Sequence, residues 1–128
     1  MDTSACRFCQ LVENGAVERA GTVGLFLDGY PVTDGHTLII PLEHRSTFFD
    51  LTEEERKDVN RALDMLQRRF AAEGVADFNI GWNAGELAGQ TVPHAHCHLI
   101  PRRPGDMEDP TGGVRGVIPE KQKYVRRS

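Results

Sequence analysis

The sequence is poor in residues that staple a chain or span a bilayer. Its 128 residues include only 3 cysteines and 1 tryptophan. Three is an odd number, and Cys6 and Cys9 lie close together, which makes a poor disulfide framework and a better metal or redox pair. The longest apolar runs, such as Leu38-Ile39-Ile40, fall far short of the roughly 20 residues of a membrane-spanning helix. Basic charge is scarce too. Fifteen Lys and Arg stand against 19 Asp and Glu, a formal net charge of −4, which argues against a broad nucleic-acid footprint. Met1 to Cys6 contains neither a basic nor an apolar stretch, so no secretory leader is expected. Neither a membrane nor a nucleic acid is expected as a partner, and the reducing cytoplasm is the expected setting. No internal repeat is visible. Gly112-Gly113-Val114-Arg115-Gly116 lacks the Gly-Lys-Ser/Thr that would make it a phosphate-binding loop.

What is present fits one water-soluble domain. The length suits a single core, and 39 % hydrophobic with 27 % charged residues is ordinary. Residues 5–14 read as a short turn or helical turn. Thr22–Leu27 reads as a strand that stops at the turn signal Asp28-Gly29-Tyr30-Pro31. Asp34-Gly35 then opens a second strand, His36–Pro41, antiparallel to the first. Thr52 and Glu55 have capping-box spacing. Val59, Ala62, Leu63, Leu66 and Phe70 follow on one helical face, with Arg61, Asp64, Arg68 and Glu73 opposite. Gly74 stands where a left-handed C-cap is needed, so a helix is predicted over about Glu53–Glu73. Phe78–Asn83 and Val92–Ile100 read as strands around a loop over 84–90, with Pro101 ending the second. Residues 104–128 read as loop and tail. The order predicts an α+β fold, one antiparallel sheet with one long helix packed on a face.

The histidines are not scattered. Three of the five fall at His94, His96 and His98, with Ala95, Cys97 and Leu99 between them. On a strand the imidazoles share one face, and the apolar residues pack on the other. Same-face neighbours on a strand are about 7 Å apart, and the outer pair about 13 Å. Metal-bound nitrogens must converge to within about 4 Å. A three-histidine metal site on this strand is therefore disfavoured, although two of the three with an outside ligand stay open. The other chemistry is nucleophilic. A neutral imidazole attacks at neutral pH, and flanking imidazoles stabilise phosphate charge. An exposed or merely hydrogen-bonded histidine cluster is the bland alternative.

His94-Ala95-His96-Cys97-His98-Leu99-Ile100 resembles the signature of the histidine triad (HIT) family, His-φ-His-φ-His-φ-φ with φ apolar. Gly89-Gln90-Thr91-Val92-Pro93 before it and Pro101-Arg102 after it are similar to the family's flanks. Asp28 and Gly35-His36-Thr37-Leu38-Ile39-Ile40-Pro41 resemble its nucleotide-side strands. The resemblance spans about residues 5–105, and it lies closer to the Fhit-like and bacterial dinucleoside polyphosphate hydrolases than to the Hint phosphoramidases. It implies a homodimer and a single domain whose tail reaches towards the partner. It also implies cleavage at the α-phosphate of a purine nucleotide through a nucleotidyl-histidine intermediate. Carried over, His96 is the nucleophile, and His98 contacts the phosphate and helps protonate the leaving group. Asp28 accepts hydrogen bonds from the ribose hydroxyls, and Asn83, Gln90 and Thr91 contact the phosphates or leaving group. His36 supports the active strand. Phosphoramidate hydrolysis, phosphorolysis and a nucleotide sensor with little turnover are the alternatives.

Cys6-x-x-Cys9 is half of a structural zinc site. Cys97 points away from the triad face and is a poor third ligand. The family resemblance implies the set Cys6, Cys9, His44 and His94, which would hold structural Zn²⁺ and keep His94 neutral. His94 is thereby claimed both by the metal and by the active strand. A redox pair or unmetallated thiols are the rivals at the cysteines. Mg²⁺ is expected only as company for substrate phosphates. Arg102, Arg103 and Arg115 are expected to be solvated charge, with contact to distal phosphates as the alternative, and Trp82 is expected to pack on the sheet.

Overall fold

A computed structural model describes residues 5–124. Five antiparallel strands form one sheet: β1 (Glu18–Ala20), β2 (Val23–Leu27), β3 (Thr37–Pro41), β4 (Asp77–Trp82) and β5 (Cys97–Arg102), in the spatial order β1-β2-β3-β5-β4. The long helix α2 (Glu53–Ala71) covers one face. A short helix, α1 (Arg7–Glu13), covers part of the other. The predicted α+β architecture is therefore present, with two elements the sequence pattern did not resolve. One is β1, three residues long. The other is α1, which turns an expected one-sided sheet into a two-sided one.

Alternation assigns residues to the two faces. Val23 and Leu25 of β2, Ile39 of β3, and Cys97 and Leu99 of β5 meet Val59, Ala62 and Leu66 of α2. Leu38 and Ile40 point the other way, against Phe8 and Cys9 of α1. This explains why β3 is apolar at successive positions: it is buried on both sides.

The helix α2 begins as its capping box requires. Thr52 Oγ1 accepts from the Glu55 amide at 3.1 Å, and Glu55 Oε1 accepts from the Thr52 amide at 2.7 Å. The Glu55 carboxylate is buried and also accepts from Arg45 Nε at 3.0 Å. At the other end Gly74 has φ +82°, which carries the chain out of the helix without a Cβ clash. Asp58 is the second buried acid on α2. Its carboxylate accepts from the Thr22 amide and hydroxyl at 2.8 and 2.7 Å, tying the helix to the start of β2.

The strand predicted over Val92–Ile100 is corrected at both ends. It runs from Cys97 to Arg102. Its pairing with β3 ends at Ile39↔Cys97, because Pro41 has no N–H to continue the ladder. Residues 92–96 form a turn instead, with the Ala95 amide donating to the Arg45 carbonyl at 2.7 Å. Pro101 does not end the strand, since it pairs with Phe78 on β4. Its carbonyl accepts from Thr33 Oγ1 at 2.6 Å, replacing a ladder partner. Thr52→Ala removes one half of the capping box, and chemical denaturation is expected to show a loss of about 1 kcal/mol with the fold retained.

Candidate functional site

The chain leaves the sheet over 92–96, so His94 and His96 precede β5 and only His98 lies on it. Among the described residues, two histidine-containing clusters result, and each is held by backbone groups that fix where its protons lie.

The first cluster is Cys6, Cys9, His44 and His94, whose donor atoms lie within 4.8 Å of one another. Cys6 is the N-cap of α1, Cys9 lies in its first turn, and His44 follows β3. Cys6 Sγ is 3.4 Å from His94 Nδ1, and Cys9 Sγ is 3.4 Å from His44 Nδ1 and 3.5 Å from His94 Nδ1. A tetrahedral zinc with bonds of about 2.3 Å to sulfur and 2.0–2.1 Å to nitrogen sets sulfur and nitrogen about 3.6 Å apart. The spacing and the soft donor set fit that ion. His94 Nε2–H donates to the Pro41 carbonyl at 2.9 Å, so its Nδ1 lone pair is the one facing the sulfurs. His94 is fully buried, and burial holds its pKa below the usual 6.5. Cys97 lies elsewhere, under α2, and burial pushes its thiol up to about 12.

The second cluster is a proton chain. The Val32 amide donates to His36 Nδ1 at 3.0 Å. The remaining proton of neutral His36 is then on Nε2, which lies 2.9 Å from His98 Nδ1. His98 accepts there and carries its own proton on Nε2. Asp28 Oδ2 is 3.5 Å from His36 Nε2. Asp28, His36 and His98 are close enough for a cation, but the 2.9 Å approach of the two nitrogens is that of a hydrogen bond. Burial depresses the pKa of His98 to about 4, assisted by His96 and His36 and opposed by Asp28. His36 is lowered for the same principal reason, burial, with Asp28 opposing.

His96 stands between the two clusters. Its Nδ1–H donates to the His94 carbonyl at 2.8 Å, so in the neutral tautomer the lone pair is on Nε2. Its ring lies 5.1 Å from that of His98, centroid to centroid. In the neutral ring His96 therefore presents a lone pair on Nε2, and His98 is a neutral imidazole with its N–H on Nε2. That combination can attack an electrophile and hold the oxygen that gains charge.

Both rings line a cavity of about 720 Å³. Asp28, Asn83 and Thr91 line it as well, and Phe8, Leu11, Phe26 and Leu38 give it an apolar end. The sequence-based candidates Asp28, Asn83, Thr91, His96 and His98 thus share one wall system. Gln90 does not line it. Its Oε1 accepts from the Gly85 amide at 2.8 Å, and its Nε2 donates to the Ser46 and Val92 carbonyls at 2.6 and 3.0 Å. Asp28 also makes a turn, since its Oδ1 accepts from the Tyr30 amide at 2.8 Å. Arg102 is paired with Asp106 at 2.8 Å, and Arg115 donates to the Lys121 carbonyl at 2.8 Å. Trp82 packs against Phe48, 5.0 Å between centroids. Sequence reasoning missed Phe8 as a wall residue and Arg45 as the anchor of Ala95. Phe8 is flanked by Cys9 and so sits inside a visible motif. Arg45 acts through its carbonyl, which carries no side-chain signal.

The sequence profile of the HIT domain matches residues 13–105. Adenosine 5'-monophosphoramidase hnt1 of Schizosaccharomyces pombe is 34% identical over 102 residues, covering 77% of this chain and 74% of the yeast protein. The crystal structure of a zinc-bound histidine triad family protein from Mycobacterium smegmatis aligns with a TM-score of 0.73 at 32% identity, covering 82% of this chain and 80% of that one. Plasmodium falciparum diadenosine triphosphate hydrolase, in complex with cyclomarin A, aligns with a TM-score of 0.63 at 31% identity, covering 70% of this chain and 61% of that one.

The proton chain has a pH signature. His98 binds its extra proton at about pH 4 in the folded state and at its ordinary 6.5 when unfolded. Between those values the unfolded chain holds more protons, so this group lowers stability as pH falls from 6.5 towards about 4. A ring-proton NMR titration is expected to show His98 still neutral at pH 5.5. A His98 midpoint near 6.5 would contradict the arrangement.

Proposed function

The chain belongs to the histidine triad family, and from that premise we propose that it is a hydrolase acting at the α-phosphorus of a purine nucleotide such as a diadenosine polyphosphate. The observation that carries this reading is His96, whose Nδ1–H is held by the His94 carbonyl at 2.8 Å while its Nε2 is left unprotonated beside the cavity. Nε2 attacks the α-phosphorus, a P–N bond forms, and the P–O bond to the leaving polyphosphate breaks. The leaving group departs as an anion and needs no proton near neutral pH. His96 keeps its Nδ1 proton, so the nucleotidyl-histidine is an imidazolium and itself a good leaving group. Water then attacks phosphorus, the P–N bond breaks, one water proton stays on the nucleoside monophosphate and the other is released to solvent.

His98 Nε2–H holds a phosphate oxygen in both steps. Asp28 accepts from the ribose hydroxyls. Asn83 and Thr91 contact the phosphates, while Gln90 orders the loop that carries Thr91. Hydrolysis of an adenosine phosphoramidate is the second reading, supported by the 34% identity to the S. pombe monophosphoramidase. An amine leaving group must be protonated as it departs. His98 Nε2–H is the donor at hand for that proton, and His36 Nε2–H can resupply it through His98 Nδ1.

We assign structural zinc to Cys6, Cys9, His44 and His94. When bound, the ion supplies a closed four-ligand crosslink between α1, the segment after β3 and the turn before β5, and it takes no part in the chemical steps. A thiol centre of this kind stays reduced in the cytoplasm, where we place the protein. The edge of β4 has no strand partner within the described residues, and Ile80 on it is 49% exposed. An open apolar edge of this sort is normally covered, and we assign it to pairing with a second copy in a homodimer.

His96→Ala is expected to lower turnover of a diadenosine polyphosphate by at least about a thousandfold while the dissociation constant for a non-hydrolysed nucleotide changes little. Retained turnover would exclude the nucleophilic role. Elemental analysis of protein purified without chelator is expected to find about one zinc per chain, and metal-free protein would overturn that assignment.

A further inference from the structure

All but the last residue of helix α1 lies ahead of the matched family segment, which begins at residue 13, yet the helix reaches both clusters. Cys6 Sγ, at its N-cap, accepts from the Cys9 amide at 3.4 Å, so the first turn is wound around the two sulfurs. Cys9 then meets both His44 and His94. One residue earlier, Phe8 packs in the same buried cluster as Cys6, Cys9, Leu38 and Ile40. Its ring is 5% exposed and stands edge-on to His96, with centroids 5.1 Å apart and planes at 83°. It also touches His94 at 5.8 Å and Phe26 at 5.3 Å. Arg7, Phe8 and Leu11 of α1 all line the cavity that holds His96.

We propose that Phe8 is a positioning residue for the nucleophile, and that the Cys6, Cys9, His44 and His94 centre acts on the reaction by holding Phe8 in place. The second half rests on the zinc assignment above. Rotation of the His96 ring about Cβ–Cγ would carry Nδ1 off the His94 carbonyl and turn Nε2 away from the cavity. Phe8 stands against the ring and opposes that rotation. Aromatic pairs at this separation and tilt are favourable beyond the area they bury. The four ligands sit on α1, on the segment after β3 and on the turn that includes His96. Closing the centre therefore fixes α1 against the same turn whose carbonyl holds the His96 proton. None of the four ligand residues lines the cavity, yet the state of the centre sets the orientation of His96.

The test uses the zinc-loaded full chain with ¹⁵N-labelled histidine at one pH, read by tautomer-sensitive NMR together with kcat and KM. Wild type is expected to show His96 solely as the Nδ1–H form. Phe8→Ala is expected to introduce the Nε2–H form and lower kcat about tenfold, a larger change than in KM. Phe8→Leu keeps much of the volume but not the flat edge. It is expected to shift the same signal part of the way, and it serves where Phe8→Ala does not fold. Cys9→Ser is expected to lose the metal by elemental analysis and to reproduce the Phe8→Ala spectrum. An unshifted His96 signal in the Phe8 variants would overturn the positioning role. A Cys9→Ser protein that has lost its metal yet keeps the wild-type His96 spectrum would overturn the coupling. Wild-type protein without metal, combined with a shifted Phe8→Ala spectrum, would overturn the zinc assignment and leave the role of Phe8 standing.

Discussion

One proton determines what this site can do. It sits on His96 Nδ1, where the His94 carbonyl accepts it at 2.8 Å. With the proton there and the ring neutral, Nε2 carries the lone pair that the proposed mechanism uses. With the proton on Nε2, the same ring would be a donor like its neighbour His98. A neutral hydrogen bond contributes about 1 kcal/mol net, roughly a fivefold preference, so the tautomer also depends on the packing that keeps the ring in register. The carbonyl itself is held in position from several sides. His94 Nε2–H is bound to Pro41, the next amide is bound to the Arg45 carbonyl, and Arg45 Nε is bound to buried Glu55 at the start of α2.

The same logic assigns the other two imidazoles. A backbone amide at Val32 puts the His36 proton on Nε2, and that proton in turn puts the His98 proton on Nε2. Three histidines of identical chemistry thus become a lone pair facing the Cys6 and Cys9 sulfurs, a lone pair at the cavity and a donor at the cavity. The selection is made by carbonyls and amides whose positions follow from the sheet. Pro41 is central to it. Because it lacks an N–H, the β3–β5 ladder stops beside it, the chain leaves the sheet, and the Pro41 carbonyl is left to receive His94.

Local signals in the sequence were readable and non-local ones were not. The capping box Thr52 and Glu55, the apolar stripe from Val59 to Phe70, and Gly74 depend on neighbours within a turn or two, and they mark α2 to within a few residues. The Cys6/Cys9 spacing and the alternating histidines announced two clusters of chemistry. The alternation itself misled on local structure, since His94 and His96 lie on a turn and not on a strand. The consequence of Pro41 for β5 could not be read because the two strands pair across more than fifty residues. Strand β1 is too short to carry a pattern. Helix α1, at seven residues, showed as no more than a turn, which hid the apolar wall supplied by Phe8 and Leu11. Gln90 illustrates the remaining gap. Its residue type suits a phosphate contact, but its carboxamide engages three backbone groups visible only in three dimensions.

The central claim is that His96 Nε2 becomes covalently bonded to phosphorus. Rapid acid-free quenching during turnover of a diadenosine polyphosphate, followed by intact-mass and peptide mass spectrometry, measures this directly. The account predicts a nucleoside monophosphate adduct on the peptide that contains His96, absent from the His96→Ala protein. Turnover at the wild-type rate with water oxygen entering phosphorus in a single step, and no adduct at any quench time, would contradict it.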